Sequence, residues 1–564
     1  MNARLLAIVL SSLFLPATAL AQTQLGADID GEAAGDQMGR SVSLSADGSR
    51  LAIGATYNDD NGTDSGHVRV YRWSGTNWVQ IGADINGEAA DDSSGGSVAL
   101  SFEGNRVAIG ASGNDGNGTD SGHVRVFQWS GTAWTQLGND IDGEAAKDYS
   151  GNMGSLALSS DGSRVAIGAF GNDDNGNSAG HVRVYQWSGT AWTQLGIDID
   201  GEAAGDWSGK SVALSPDGTR LAIGATRNDS NGEESGQVRV YQWSGTAWTQ
   251  LGGDINGTLA GDAFGSSVSL SSNGNRLAIG ANGHDGNGID SGQVRVFHWS
   301  GTTWTQLGAG INGEAASDYC CGAVSLSSNG NRLAIAAAEN DGNGDMAGQV
   351  RIYQWSGSVW EQIGADIDGE AAGDYFGESV ALSSDGNRVA AGARWNDGNG
   401  LSSGHVRVYD LSMFSMPNAF SINPGLNDAW YYPLTSGQGF FITVFPDLGA
   451  VSLAWFTYDT ELPPLGATAN LGDPGHRWLT AVGPIDGNQA LMDIEMTSGG
   501  IFDTSSVITR TDPPGSDGTI LLTFDSCSSG TIEYDIPSIN QQGIVPIQRV
   551  ANDNIVICEA LGTD

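Results

Sequence analysis

Short alternations of apolar and polar residues run from Leu25 to Leu411, with no helical periodicity between them. In the first stretch they predict strands at Ser41–Ser45 (SVSLS), Arg50–Ala55 (RLAIGA), His67–Trp73 (HVRVYRW) and Trp78–Ile81 running on to Ile85. Each is bounded by Gly, Asn, Asp or Ser, as short strands are. Ala46–Ser49 and Ser74–Asn77 read as tight hairpin turns. The pattern restarts at Leu25, Ile81, Leu137, Leu195, Leu251, Leu307 and Ile363, giving seven units of 56 residues, the third with two extra residues around Asn152 and Met153. Four short antiparallel strands per unit, repeated seven times, predict an all-β fold, a seven-bladed β-propeller. The last unit stops after Val406–Leu411 without its W-S-G-x-x-W hairpin, and Gln22–Ile29 matches the strand it lacks. An N-terminal strand that completes the last blade closes the ring and removes the open edge; an open solenoid does not explain this fit.

Beyond Leu411 the repeat ends. The expected organisation is a signal peptide over 1–21, the propeller over 22–412, a linker over 413–424 and a second all-β unit over 425–564. Met1–Ala21 carries Arg4, an apolar run and a small-residue cleavage site at Ala19-Leu20-Ala21, the grammar of an export signal. In the second unit Phe440–Phe445, Val451–Tyr458, Ile520–Phe524 and Ile544–Val550 alternate, predicting a small β-sandwich or barrel. Its aromatic residues, Trp430-Tyr431-Tyr432, Phe440-Phe441, Trp455-Phe456 and Trp478, read as core, with a carbohydrate-stacking platform as the alternative.

With 65 acidic residues against 24 Lys plus Arg, the formal charge is −41, which excludes a phosphate backbone as partner and favours cations. No later apolar run is long enough to span a bilayer. Export and an extracellular or cell-surface location follow as expectations. Cys527 and Cys558 are a candidate disulfide of an oxidising compartment, and the adjacent Cys320 and Cys321 can pair only as a vicinal bridge.

Two arginine columns, Arg50 to Arg388 and Arg69 to Arg407, recur once per unit and are read as pairing with Asp within or between blades. Paired tryptophans such as Trp73 and Trp78 flank each hairpin turn and are read as packing across it. If the closing strand is outermost, the blade-to-blade loop and the loop between second and third strands emerge on one face. The first loop ends in Asp36, Asp92, Asp148, Asp206, Asp262, Asp318 or Asp374. The second carries Asp-x-Asn-Gly at Asp59/Asn61, Asp115/Asn117, Asp173/Asn175, Asp229/Asn231, Asp285/Asn287, Asp341/Asn343 and Asp397/Asn399. Carboxylates and amide oxygens beside Gly turns are what Ca²⁺ takes, so these residues are candidate Ca²⁺ ligands. Only Glu339 supplies a further oxygen two positions before the Asp. The competing reading has Asp and Asn capping their own turns.

The units resemble the FG-GAP family, the propeller repeats of integrin α-subunit heads and their bacterial relatives. Phe264-Gly265 and Phe376-Gly377 match the FG element, Met38-Gly39 is a variant, and Gly54-Ala55, Gly110-Ala111, Gly168-Ala169, Gly224-Ala225, Gly280-Ala281 and Gly392-Ala393 match the GA element. The integrin calcium loop lies between first and second strands, where this chain has only a tight turn such as Ser45–Gly48, so that site is not expected here. By this resemblance the acidic face recognises partners. The C-terminal W-Y-x-P-x-x-S-G-Q-G-F run, from Trp430, is similar to an uncharacterised domain ending many exported bacterial proteins and implies no activity.

Catalysis finds no constellation. His67, His123, His181 and His405 share a column with Gln237, Gln293 and Gln349, and a general base is not interchangeable with Gln. No G-x-S-x-G elbow occurs, and no carboxylate pair stands apart. The expected function is an exported recognition or adhesion protein binding a protein or glycan through the acidic face, with Ca²⁺ assistance; the alternative is a secreted hydrolase or lyase on a propeller scaffold.

Overall fold

The computed structural model of the chain describes residues 22–414, 422–432, 439–458, 476–486, 488–498, 509–510, 518–524, 527–537, 541–551 and 558. The expected signal peptide, 1–21, lies outside them, as does most of the expected linker. The chain divides into two compact units, Met1–Phe414 and Ser415–Asp564.

The first unit holds seven separate antiparallel sheets, one per repeat. In the first blade the order from the axis outward is Met38–Leu44, Arg50–Ala55, His67–Trp73 and Trp78–Gln80. The expected continuous outer strand is split: Trp78–Gln80 and Ile85–Asn86 both pair with His67–Trp73, with a turn between them. Gly82 sits in that turn at φ +80°, and a Cβ there would lie 2.8 Å from Trp129 and 2.9 Å from Trp134 of the next blade. The outer strand therefore breaks where the neighbouring indoles need room.

Closure is as the chain ends imply. Thr23–Gln24 and Ile29–Asp30 pair with His405–Asp410, so the N-terminal segment completes the seventh blade. Around the end of the axis away from the acidic loops, backbone N–H groups link turn to turn: Ala46 to Phe102 O, Phe102 to Ser160 O, Ser160 to Pro216 O, Ser272 to Ser328 O, Ser328 to Ser384 O and Ser384 to Ala46 O, at 2.8–2.9 Å. The one gap in this ring follows Pro216, which has no N–H to donate. Apolar residues on both faces of each blade fill the seams; Val68, Val70, Ile85, Val98, Val107 and Ile109 form one such layer. The second-strand Gly of the GA element permits this approach, since a Cβ at Gly54 would lie 2.0 Å from Gly95 O.

The arginines join blades, but their partners differ from the Asp expected. The first column reaches backbone carbonyls of the next blade's turn, as Arg50 to Gly104 O at 3.0 Å, Arg164 to Gly218 O at 2.8 Å and, across the closure, Arg388 to Gly48 O at 2.9 Å. The second column reaches back to the preceding linker: Arg69 donates to Asp30 O at 3.0 Å and faces Glu32 at 3.2 Å. A buried guanidinium needs acceptors in several directions, and the turn carbonyls supply them at fixed positions. The paired indoles pack across each hairpin with centroids 5.2–5.4 Å apart, and the second of each pair donates to the preceding blade, as Trp78 Nε1 to Leu25 O at 3.0 Å.

The second unit is a closed barrel of eight strands: Asp428–Tyr431, Gly439–Phe445, Ala450–Tyr458, His476–Asp486, Gln489–Ser498, Thr519–Phe524, Ser529–Ile536 and Gln541–Arg549, the last returning to pair with the first. Trp430, Phe440, Trp455 and Phe524 fill its core, while Phe441 and Phe456 meet edge to face on the exposed side. Cys527 and Cys558 are joined by a disulfide, and Cys320 is joined to Cys321, both fully buried in the sixth blade.

Candidate functional site

The two acidic loops of each repeat do share a face, and their most regular residues hold its framework. Asp36 and its six equivalents are buried, at 2–4 % exposure. Asp36 accepts the Ala33 N–H at 2.9 Å and the Glu32 N–H at 3.2 Å, and the Asn58 amide bridges to it from the second loop. In the fifth blade His284 takes the Asn place, 2.9 Å from Asp262. Burial pushes the Asp262 carboxyl up, but bonds from His284, Leu259 and Thr258 outweigh it and hold it below the usual carboxylate range.

The candidate Ca²⁺ residues lie at the crest of the same loops. One oxygen of Asp59, Asp115, Asp173, Asp229, Asp285, Asp341 and Asp397 accepts a backbone N–H five residues on, at 2.7–2.9 Å. The amides of Asn61, Asn117, Asn175, Asn231, Asn287, Asn343 and Asn399 donate to a glycine carbonyl of the adjoining linker at 2.7–2.8 Å. Each thus contributes to turn closure. Glu339 lines a cavity of about 720 Å³ together with Tyr375, Arg394, Trp395 and the candidate Asp397, and burial and the Glu378 charge raise its carboxyl.

Among the described residues, the acidic groups that converge most tightly surround the histidine column: Glu32, Asp60 and Asp84 with His67; Glu144, Asp174 and Asp198 with His181; Glu88 and Asp140 with His123; Asp28 and Asp30 with His405. The ligand atoms in each group lie within 4.8 Å of one another, so these groups can hold a metal ion. The histidines are pushed toward the neutral form by burial and by the arginine two residues on, His405 to about 4.

What the repeat pattern did not reveal is the axial mouth on this face. One residue from each inner strand region, Val42, Val98, Leu156, Val212, Val268, Val324 and Val380, lines a central cavity of about 610 Å³. Trp207 and Ala263, on its lining, belong to a column that changes from blade to blade, and Tyr375 of the same column lines the cavity beside Glu339. The residue after the buried Asp is Gln37, Ser93, Tyr149, Trp207, Ala263, Tyr319 or Tyr375, and all seven have φ between 42° and 56°. A bulky side chain in this left-handed region is an uncommon backbone state. Its N–H is fixed by a carbonyl from the second loop, as Trp207 to Ser178 O at 3.2 Å and Tyr375 to Met346 O at 3.1 Å.

Two clusters result. At blades three and four, Tyr149 stacks on Phe170 at 5.4 Å, Phe170 meets Trp207 at 5.3 Å, and Arg227 lies 3.6 Å over the Trp207 ring. Lys210 sits 4.8 Å over Phe170, and burial and the Arg40 charge lower its pKa. At the seventh blade Glu378 joins Arg40 at 2.7 Å and Arg394 at 3.4 Å, and Arg394 leans on Trp395. In a chain so acidic, these clusters come close to charge balance, with Arg227 also 3.4 Å from Glu234. The sequence signal was present: these columns vary while their neighbours repeat.

The chain thus forms a closed propeller with a scaffold of repeated residues and a mouth of varied ones. The FG-GAP repeat family matches residues 26–71, 198–241, 256–297 and 366–409, so the propeller carries FG-GAP repeats at these positions. No curated protein matches the sequence. Among solved structures, a putative 6-phosphogluconolactonase from Bacteroides uniformis is similar at 13 % identity and TM-score 0.41, covering 59 % of this chain and 85 % of its own. The RRP9 WD40 repeats align at 14 % identity and TM-score 0.42, covering 69 % of this chain and 99 % of their own. The GH74 xyloglucanase from Xanthomonas campestris aligns at 13 % identity and TM-score 0.38, covering 95 % and 75 %. Likenesses this distant bear on no chemistry. Among the described residues no helix is long and apolar enough to cross a membrane.

Proposed function

We propose that this is an exported recognition or adhesion protein that binds a protein or glycan partner at the axial mouth of its acidic-loop face. The observation that carries this reading is the cluster at blades three and four, where Tyr149, Phe170 and Trp207 meet beside Arg227 and Lys210. The left-handed backbone at Trp207 recurs in every blade, so what distinguishes these blades is the side chain it presents. Rings beside Arg227, Lys210 and Arg394 offer stacking and charge together, as recognition sites do. The central and lateral cavities, about 610 and 720 Å³, fall in the range of ligand sites. Ca²⁺ bound by the Asp59-type loops around the rim would assist by fixing their crests. Export rests on the Met1–Ala21 sequence and is consistent with the two disulfides.

The test is binding of the full mature chain to a printed array of bacterial and host polysaccharides and extracellular-matrix peptides, in Ca²⁺ and in chelator. Wild type should retain a subset of spots, and W207A/Y375A should lose them by at least about tenfold, the loss of one or two buried ring contacts. Retention unchanged by the double substitution refutes the mouth as the site.

A further inference from the structure

The third strand of a blade begins with His in blades one, two, three and seven and with Gln in blades four, five and six. The glutamines each place their Nε2 on an acceptor, although Gln237 Oε1 and Gln349 Oε1 are left without a partner among the described residues. Gln237 Nε2 donates to Glu202 at 3.1 Å, Gln293 Nε2 to Asn312 Oδ1 at 2.8 Å, and Gln349 Nε2 to Glu314 and Asp368 at 3.3 Å each. The histidines of blades one and three make no such bonds. The side chains of His67 and His181 are 1 % and 0 % exposed, and neither nitrogen of either ring has a hydrogen-bond partner. Each ring nonetheless faces carboxylates: His67 Nδ1 is 3.9 Å from Asp60, and His181 Nδ1 is 3.7 Å from Glu144. That separation is too long for a hydrogen bond and somewhat longer than the roughly 3.3–3.4 Å between two tetrahedral ligands with bonds of about 2.0–2.1 Å.

The carboxylates around these rings follow the same division. Asp60 and Asp174 occupy a column that reads Gly116, Ser230, Gly286, Gly342 and Gly398 in the other blades, so an acid stands there only beside these two histidines. Glu32 and Asp84 complete the first group, Glu144 and Asp198 the second, all with ligand atoms inside 4.8 Å. In each group three carboxylates face one guanidinium, Arg69 at 3.2 Å from Glu32 and Arg183 at 3.4 Å from Glu144, which leaves net negative charge to match a divalent cation. The buried orphaned imidazole is the independent sign that something belongs between these groups, since a buried polar group left without a partner is destabilising.

We propose that His67 with Glu32, Asp60 and Asp84, and His181 with Glu144, Asp174 and Asp198, form two divalent transition-metal sites of the Zn²⁺ class. Imidazole nitrogen with carboxylate oxygens suits Zn²⁺, whereas Ca²⁺ takes oxygen ligands throughout. Tetrahedral Zn²⁺ with bonds of about 2.0–2.1 Å needs its ligands closer than they stand, and the half-exposed Glu32 and Asp60 side chains are free to close in. Each ion would draw on the linker entering the blade, the blade's own loop and strand, and the linker leaving it. It would thereby clip consecutive blades on the recognition face. His123 and His405 have Gly116 and Gly398 in place of the extra Asp and are outside this assignment.

The test is calorimetric titration of Zn²⁺ into the untagged, chelator-stripped full mature chain, beside H67Q/H181Q. Gln already fills this position in three blades, so the variant should keep the wild-type metal-free thermal midpoint. Expected are two Zn²⁺ per chain, unaffected by equimolar Ca²⁺, weakened at least about 100-fold in the variant. Co²⁺ should give visible absorption bands in wild type that the variant lacks. Should H67Q/H181Q fail to fold, D60G/D174G, which restores the residue of four other blades, should show the same loss. No Zn²⁺ binding, binding unchanged in the folded variant, or displacement by equimolar Ca²⁺ overturns the assignment.

Discussion

Trp207 and Tyr375 hold backbone angles that glycine adopts without steric conflict, and the bonds that fix them come from backbone carbonyls of the second loop, at Ser178 and Met346. Regular and irregular residues divide the work within one loop: Asp206 and Asn228 hold each other at 3.0 Å, and Trp207 and Arg227, the residues directly beside them in sequence, face the mouth. The histidine column shows a second division. Arg407 and burial push His405 to about 4, because Asp28 and Glu370, at 4.0 and 3.9 Å, stand too far off to compensate. An unfolded His takes its proton near pH 6.5. Between about 6.5 and 4 the unfolded chain therefore binds one more proton than the folded one, and stability must fall as pH drops through that window. In chelator, H405Q should flatten the slope of unfolding free energy against pH there by at most about 1.4 kcal/mol per pH unit, read from denaturant curves. An unchanged slope would mean that the ring is charged or exposed in the folded chain.

Strand positions were legible in the sequence because period-two alternation, Gly-bounded turns and the missing seventh hairpin each have a local cause. The break in the outer strand was not, because its cause is Trp129 and Trp134 of the next blade pressing on Gly82. The arginine partners were hidden for a related reason: Arg50 binds the carbonyl of Gly104, and a backbone oxygen leaves no mark on residue identity. The closing strand makes a test at this scale. Deleting Gln22–Asp30 removes the split outer strand of the seventh blade, which pairs with His405–Asp410, and unseats the buried Ile29. Losing one buried Ile and its ladder should cost at least about 3 kcal/mol in urea denaturation. A truncated chain as stable as the full one would show that the ring does not depend on this clasp.

At the scale of the molecule, the seven-fold repeat makes a rigid ring whose two ends differ. One end is tied turn to turn by backbone bonds; the other opens to a mouth where repetition stops. The acidic loops, read from sequence as a binding face, surround that mouth, and their recurring Asp and Asn residues bind their own turns and linkers. Residues that bind turns had to recur, whereas residues that select a partner had no reason to. The candidate site was therefore legible as a face and illegible as a pocket, since Tyr149, Phe170 and Trp207 come together only when blades three and four pack. The most direct measurement is paired: affinity for the strongest array ligand and thermal midpoint, for wild type and W207A/Y375A. The account predicts affinity lower by at least about tenfold with a midpoint within a few degrees of wild type, since both side chains are only half-buried and stand outside the apolar clusters that fill the blade seams. Wild-type affinity in that variant would contradict it.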